Sequence, residues 1–321
     1  MSILIRKPGI RTVVRDLGRF GHMAAGINPT GAMDTLSARV VNTLLGNEEN
    51  SALIEFGFPA PEIEFEADTA FCIGGSGIDA KLNNLAVSLW RPQKASPRDI
   101  LSLSPASKGN FAYLAVAGGF DVPELLGSRT TNLATGFGGF KGRLFAAGDC
   151  LAVHSPGQSF PNAQPALGYS LRPQLADPVR IRITPGPEYD RLTALSEQTL
   201  TTETFSVGPN SDPMGFRLTG PKMFSLDETE FLSSAATFGT VQLLPDGGLA
   251  VLMSDHQTTG GYPRIAVVAA VDLPLLAQLR PARSFKFEFI EIEDAVKLLA
   301  EQKRNILFLK TGVRLARWQV C

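Results

Sequence analysis

The densest run of side chains able to do chemistry is Ser254-Asp255-His256-Gln257-Thr258-Thr259-Gly260-Gly261-Tyr262-Pro263. One connection between the apolar stretches Leu249 to Met253 and Ile265 to Val271 thus holds a carboxylate, an imidazole, a carboxamide, hydroxyls and a phenol. Gly260 and Gly261 let the backbone approach a ligand or take positive φ. The run reads equally as a hairpin turn whose polar groups satisfy one another, although loops on rigid scaffolds often carry function. His256 is the best general-base candidate; an exposed loop histidine is its plainer reading, because one imidazole carries little specificity.

Three further clusters stand out. Arg15-Asp16-Leu17-Gly18-Arg19-Phe20-Gly21 is either a turn with an ion pair or a source of cations. In Thr30-Gly31-Ala32-Met33-Asp34, Asp34 precedes Leu36, Val40, Val41 and Leu44 on one helical side, and Gly46 follows. Asp34 therefore reads first as an N-cap. The sharper reading is that the helix start offers backbone N–H groups to an anion. Gly127-Ser128-Arg129-Thr130-Thr131, with Gly136 to Arg143, adds Arg129 and Arg143 as bidentate partners for a carboxylate or phosphate. The Gly-Lys-Ser/Thr ending of a P-loop is missing there.

Common catalytic signatures are absent. His22, His154 and His256 lack metal-like spacing, so no metal site is expected on the chain. No Gly-x-Ser-x-Gly elbow occurs. Cys72, Cys150 and Cys321 are far apart and odd in number, which predicts buried free thiols plus a terminal one in a reducing compartment.

Positioning these residues falls to many short, apolar, β-branched segments bounded by Gly or Pro: Thr69 to Ile73, Tyr113 to Ala117, Val179 to Ile183, Leu249 to Met253 and Ile265 to Val271. Phe285, Phe287 and Phe289 alternate with Lys286 and Glu288, a strand with one wet face. Such a chain predicts barrels or sandwiches. Helices are expected after Asp34, from Pro187 through Leu192 and Leu195, briefly after Asp272, and over Glu293 to Arg304. A stretch rich in Pro, Gly, Ser, Asn and Gln predicts a linker over 156–178 between domains 1–155 and 179–321.

Lys plus Arg total 30 against 31 Asp plus Glu, so no electrostatic pull toward nucleic acid or anionic membrane is expected. Met1 to Arg11 lacks a signal-peptide core, and Ile265 to Val271 is too short to span a bilayer, so the expected location is cytoplasmic.

Taken in order, these motifs resemble a known family. The matching segments include Val14 to Gly21, Gly31 to Asp34, Asn42 to Asn47, Ile54-Glu55, Tyr113 to Gly119, Gly127 to Arg129, Gly138 to Arg143, Thr184 to Pro187, Met214 to Leu218 and Gln257 to Pro263. The chain resembles the C-type subunits of 5-oxoprolinase, or KipA-like proteins, related to the second subunit of allophanate-hydrolase and urea-amidolyase type carboxyltransferases. The resemblance implies a mainly β chain with tandem cyclophilin-like β-barrels and a few helices. It implies work in a heteromer with a KipI-like B-type subunit and a third, LamB/YcsF-type subunit. The implied reaction opens the lactam of 5-oxo-L-proline to L-glutamate with ATP and Mg shared by the complex, the B-type and C-type subunits phosphorylating the lactam oxygen.

On that footing Asp34, Asp255 and His256 are the catalytic candidates. Arg19, Glu55, Arg129, Arg143, Gln257, Thr258, Gly260, Gly261 and Tyr262 are the substrate- and phosphate-binding candidates. Three positions depart from the family's pattern: Arg15 stands for a usual Gln, and Phe111 and Pro213 for usual Arg residues. Two other functions fit the resemblance. One is the carboxyltransferase component of a biotin-dependent urea carboxylase-like system, with biotin carried elsewhere because no Met-Lys-Met segment occurs. The other is a KipA-like regulator of a kinase inhibitor.

Overall fold

The computed structural model describes residues 1–105, 109–154, 171–172, 175–226 and 232–318, so most of the expected linker lies outside the described residues. The chain is mostly β and divides into two compact units, Met1–Arg19 with Thr30–Pro173 and Gln302–Cys321, and Phe20–Pro29 with Gln174–Glu301. Each unit thus recruits a segment from a distance in sequence. Asn28 joins the second unit by donating to the Asp255 carbonyl at 2.9 Å. Lys310 reaches Glu48 at 3.3 Å in the first.

The first unit contains β1 (Ser2–Lys7), β2 (Val13–Arg15), α1 (Thr35–Leu44), β3 (Leu53–Phe56), β4 (Glu62–Phe65), β5 (Thr69–Gly75), β6 (Ile78–Leu82), β7 (Leu85–Ala86), β8 (Gln93–Ala95), β9 (Ile100–Pro105), β10 (Ala112–Val116) and β11 (Cys150–Ala152). They form a sheet ordered β11-β1-β4-β9-β6-β7 and another ordered β2-β3-β10-β5-β8. Both sheets feed one core, with Ile3, Ile63, Phe65 and Leu101 from the first and Ile54, Phe71, Ile73 and Leu114 from the second. Alternation explains the division of labour. In β4, Ile63 and Phe65 are buried while Glu62 and Glu64 turn outward to Lys7 and Arg6.

The second unit contains β12 (Val179–Pro185), α2 (Ala194–Thr202), β13 (Phe205–Val207), β14 (Gly215–Thr219), β15 (Ser234–Ala235), β16 (Thr240–Leu243), β17 (Leu249–Leu252), β18 (Thr259–Gly260), β19 (Arg264–Val268), α3 (Leu273–Ala277) and β20 (Ser284–Phe289). Seven of these strands close a barrel in the order β12-β19-β16-β17-β14-β13-β20, and β15 with β18 makes a separate ribbon. Phe205, Phe285 and Phe287 cluster as an aromatic wedge, their centroids 5.1–6.4 Å apart. The alternation expected to bury Phe289 stops short of it: Phe289 is 39 % exposed and packs edge-on against Tyr189.

From Pro187 the chain makes only a short 3-10 turn, Tyr189–Arg191, before the α-helix begins. Gly186 and Glu188 donate backbone hydrogen bonds to Ile265 and Arg264, and the Glu188 carboxylate takes the Arg264 guanidinium, so this segment is pinned to β19. Winding resumes at α2, capped by Thr193 Oγ1 on the Ser196 amide. Asp272 precedes α3 without capping it, because its carboxylate binds Arg182 at 2.5 and 2.8 Å. The last helix, α4 (Ile292–Trp318), outruns the expected Glu293 to Arg304. Among the described residues no helix is long and apolar enough to cross a membrane. Cys72 is buried, but Cys150 is exposed and donates to Glu66, contrary to the expectation of a buried thiol; Cys321 lies outside the described residues.

Candidate functional site

The polar residues of the first unit are held inside it. Asp34 caps α1: one carboxylate oxygen accepts the Ser37 amide at 2.8 Å and the other its hydroxyl at 2.5 Å. Beside it, Glu55 on β3 accepts from Arg15 Nε at 3.3 Å, the Met33 amide at 2.7 Å and the Tyr113 hydroxyl at 2.9 Å. The Tyr113 oxygen in turn accepts the Asp34 amide at 2.7 Å. Arg15 and Tyr113 are 0 % exposed, and burial, with the charges of Glu55 and Asp34, pushes the phenol pKa well above its usual range. One carboxylate thereby ties together β2, β3, β10 and the entry to α1.

A second knot lies alongside. Asp16 accepts from the Gly18 amide, the Ser128 hydroxyl and the Arg129 amide, joining two loops distant in sequence. Arg19 is fully buried. It donates to the carbonyls of Leu125 and Thr130 and stacks 4.6 Å over Phe137, and burial lowers its pKa. Gly138 packs where a Cβ would meet the Thr130 carbonyl and the Arg19 guanidinium, which explains part of the glycine density there.

The two remaining arginines are half-buried and paired. Arg143 grips Asp149 through two bonds of 2.6 and 2.7 Å, which raise its pKa and lower that of Asp149. Arg129 meets Glu124 at 2.8 Å. Of the anion-binding candidates in this unit, Arg19 serves as a strut and Arg129 and Arg143 face carboxylates of the chain itself.

The second unit gathers Asp255, His256, Gln257, Thr258, Gly260, Gly261 and Tyr262 on one connection from β17 to β19. Its first half is buried rather than an exposed turn: Ser254 is 4 % exposed, Asp255 8 % and His256 2 %. The Asp255 amide donates to the Pro213 carbonyl at 2.8 Å, so the Ser211 to Gly215 turn braces the segment. Gln257 and Thr258 are half-buried, and Gly261 and Tyr262 are open to solvent. Burial lowers the His256 pKa, against a smaller upward pull from the Gln257 carbonyl and the Asp255 charge. The lowered pKa favours the uncharged ring. Its Nδ1 sits 2.6 Å from the Gln257 carbonyl, which can only accept, so Nδ1 carries the proton and Nε2 keeps its lone pair. That is the tautomer a general base needs.

Residues 25–289 match the family model described as carboxyltransferase domain, subdomain A and B. The chain belongs to the carboxyltransferase domain family. Within that family it is 38 % identical to the 5-oxoprolinase C subunit of Escherichia coli (strain K12), over 94 % of this chain and 95 % of that one. It is 37 % identical to the 5-oxoprolinase C subunit of Haemophilus influenzae, over 93 % and 94 %. The crystal structure of the K. lactis urea amidolyase superposes with a TM-score of 0.89 and 28 % identity, over 96 % of this chain and 20 % of that one.

The three departures from the family's pattern acquire physical meaning here. Arg15 is the buried partner of Glu55, Phe111 is 6 % exposed and packs in the core, and Pro213 supports Asp255 through its carbonyl. Sequence reasoning missed Tyr113, Asn28 and Gln242. A lone Gln between Val241 and Leu243 in an apolar strand was the available signal for the last.

Proposed function

We propose that the chain is the C-type subunit of an ATP-dependent 5-oxoprolinase that opens 5-oxo-L-proline to L-glutamate. It would act in a cytoplasmic heteromer with a KipI-like B-type subunit and a third, LamB/YcsF-type subunit. The observation that carries this reading is reciprocal coverage: the chain and its E. coli 5-oxoprolinase relative span one another almost end to end, whereas the chain covers 20 % of the K. lactis urea amidolyase.

The chemistry of the buried segment supports it. A lactam resists opening because its C–N bond has double-bond character. Making its oxygen part of a leaving group weakens that resonance and acidifies the N–H. A neutral imidazole with a bare Nε2, as in His256, suits acceptance of that proton. Gln257 and Thr258 would orient the amide edge, Tyr262 would close over the exposed side, and Asp255 would keep the region acidic and ordered. Nucleotide and Mg do not fit the first unit alone. Arg19, Arg129, Arg143, Asp34 and Glu55 all have partners within the chain, and among the described residues no three His, Cys, Asp or Glu side chains gather as a metal site. In this reading ATP and Mg are held mainly by another chain of the complex.

The test is co-expression with the two partner proteins and measurement of glutamate and ADP from 5-oxo-L-proline. An assembled complex with no such turnover overturns the proposal. A second reading, carboxyl transfer from biotin borne on another chain, is favoured by the TM-score of 0.89 to a urea amidolyase. Urea-dependent transfer of the carboxyl group of carboxybiotin onto a urea nitrogen would support it instead.

A further inference from the structure

Gln242 is a buried carboxamide in the barrel wall, outside the Asp255 to Tyr262 segment. It stands in β16 between Val241 and Leu243, which are paired with Val251 and Leu249 on one face of the sheet. Alternation puts the Gln242 side chain on the opposite face, yet it is only 2 % exposed. The pairing of β16 with β19 slips between Val241 and Gln242, a bulge of the kind that re-aims a side chain. Gly260 of the β15–β18 ribbon lies beside this side chain. A Cβ on Gly260 would come 2.6 Å from Gln242 Nε2 and 3.4 Å from Gln257 Nε2. Two carboxamide nitrogens therefore lie against Gly260, whose missing side chain makes room for them.

Gln242 Nε2 is shut off from water and has no hydrogen-bond partner among the described residues. A buried N–H group left unpaired is costly and calls for an acceptor. The acceptor's character follows from the surroundings. Arg264, the Cα partner of Gln242 on β19, has its guanidinium bound to Glu188 and to the Ala235 carbonyl. The donors on offer are neutral carboxamides. Carboxylates and phosphates favour charge-assisted partners, whereas a neutral amide oxygen matches a neutral N–H.

We propose that Gln242, beside Gln257, binds the carbonyl oxygen of an uncharged amide group, that of a lactam or urea-type substrate, and so sets the substrate class of this site. The inference rests on the reading of the Asp255 to Tyr262 segment as the substrate site. It adds a residue from the barrel wall beneath that segment.

The experiment compares the full chain, alone and assembled with its partner proteins, with its Gln242→Met and Gln242→Glu variants. Calorimetric titration with 5-oxo-L-proline and with urea measures binding, and steady-state kinetics measures KM and kcat on the complex. Met fills similar volume without a donor, and Glu keeps the shape but offers acceptors. Both variants should bind the wild type's preferred amide about tenfold or more weakly, chiefly through KM. Free of ligand, Gln242→Met should melt at or above the wild-type temperature, since it removes an unpaired polar group. A lower melting temperature would show a merely structural Gln and overturn the proposal. So would unchanged binding by the folded variants, which leaves the 5-oxoprolinase reading standing. Wild type that binds urea but not 5-oxo-L-proline, with loss on Gln242→Met, upholds Gln242 and overturns the lactam assignment. Wild type that binds neither overturns both.

Discussion

Replacing Glu55 by Ala should cost the first unit about 3–5 kcal/mol. Glu55 is 2 % exposed and its partners Arg15 and Tyr113 are 0 % exposed. Removing the carboxylate withdraws a counter-charge from a guanidinium that no water can reach, and breaking a buried pair from one side costs roughly 3–5 kcal/mol. The same change takes the acceptor from the Met33 amide and the Tyr113 hydroxyl, so the upper half of the range is expected. Against a usual domain stability of about 5–15 kcal/mol this is a large fraction. At an m-value of roughly 2–3 kcal/mol/M the urea midpoint should fall by about 1–2.5 M. The assay is tryptophan fluorescence in urea. Trp90 is 5 % exposed and belongs to the first unit, so its signal reports this unit. Tyr113→Phe, which strands the Asp34 amide, should cost about 1–3 kcal/mol. A Glu55→Ala loss below about 1 kcal/mol would refute the idea that this ion pair organises the unit.

Asp34→Ala should lower stability by about 0.5–2 kcal/mol, while Asp34→Ser, which still caps, should keep both stability and turnover; loss of turnover in a stable Asp34→Ser complex would return Asp34 to a catalytic role. Because burial lowers the His256 pKa, the base form persists to a pH below the ordinary histidine range. The acid limb of kcat/KM should therefore fall below pH ~6.5. Stability follows the same sign: it is fully present above the unfolded histidine pKa and is lost as pH falls through the lower folded value, and His256→Gln should flatten that loss in a pH series of melts. Gly142→Ala should destabilise the first unit measurably in the same urea assay, since Gly142 has φ +66° and a Cβ there would strike the Gly136 carbonyl.

Local signals were legible where one residue's neighbours in sequence decide its state. Asp34 with its helical stripe announced α1, and the paired apolar runs announced β12, β17 and β19, because capping and alternation are short-range effects. The ordered motifs likewise point to the carboxyltransferase family, whose model matches residues 25–289. Reading failed where a distant partner intervened. Glu188 bound Arg264 and delayed α2, and Asp272 turned from capping α3 to bind Arg182.

The residue types and their order by themselves determined a mostly β chain, a family, and a polar segment around His256 worth attention. Only the tertiary structure decided what the charges do. Whether an arginine meets a ligand or its own chain depends on groups brought together from far along the sequence, 111 positions for Arg19 with Thr130 and 40 for Arg15 with Glu55. The same holds for Gln242, whose Nε2 is buried with no partner among the described residues, beside a bulge and the distant Gly260. Burial sets the energy of a polar group, and burial is a property of the fold rather than of the neighbouring letters.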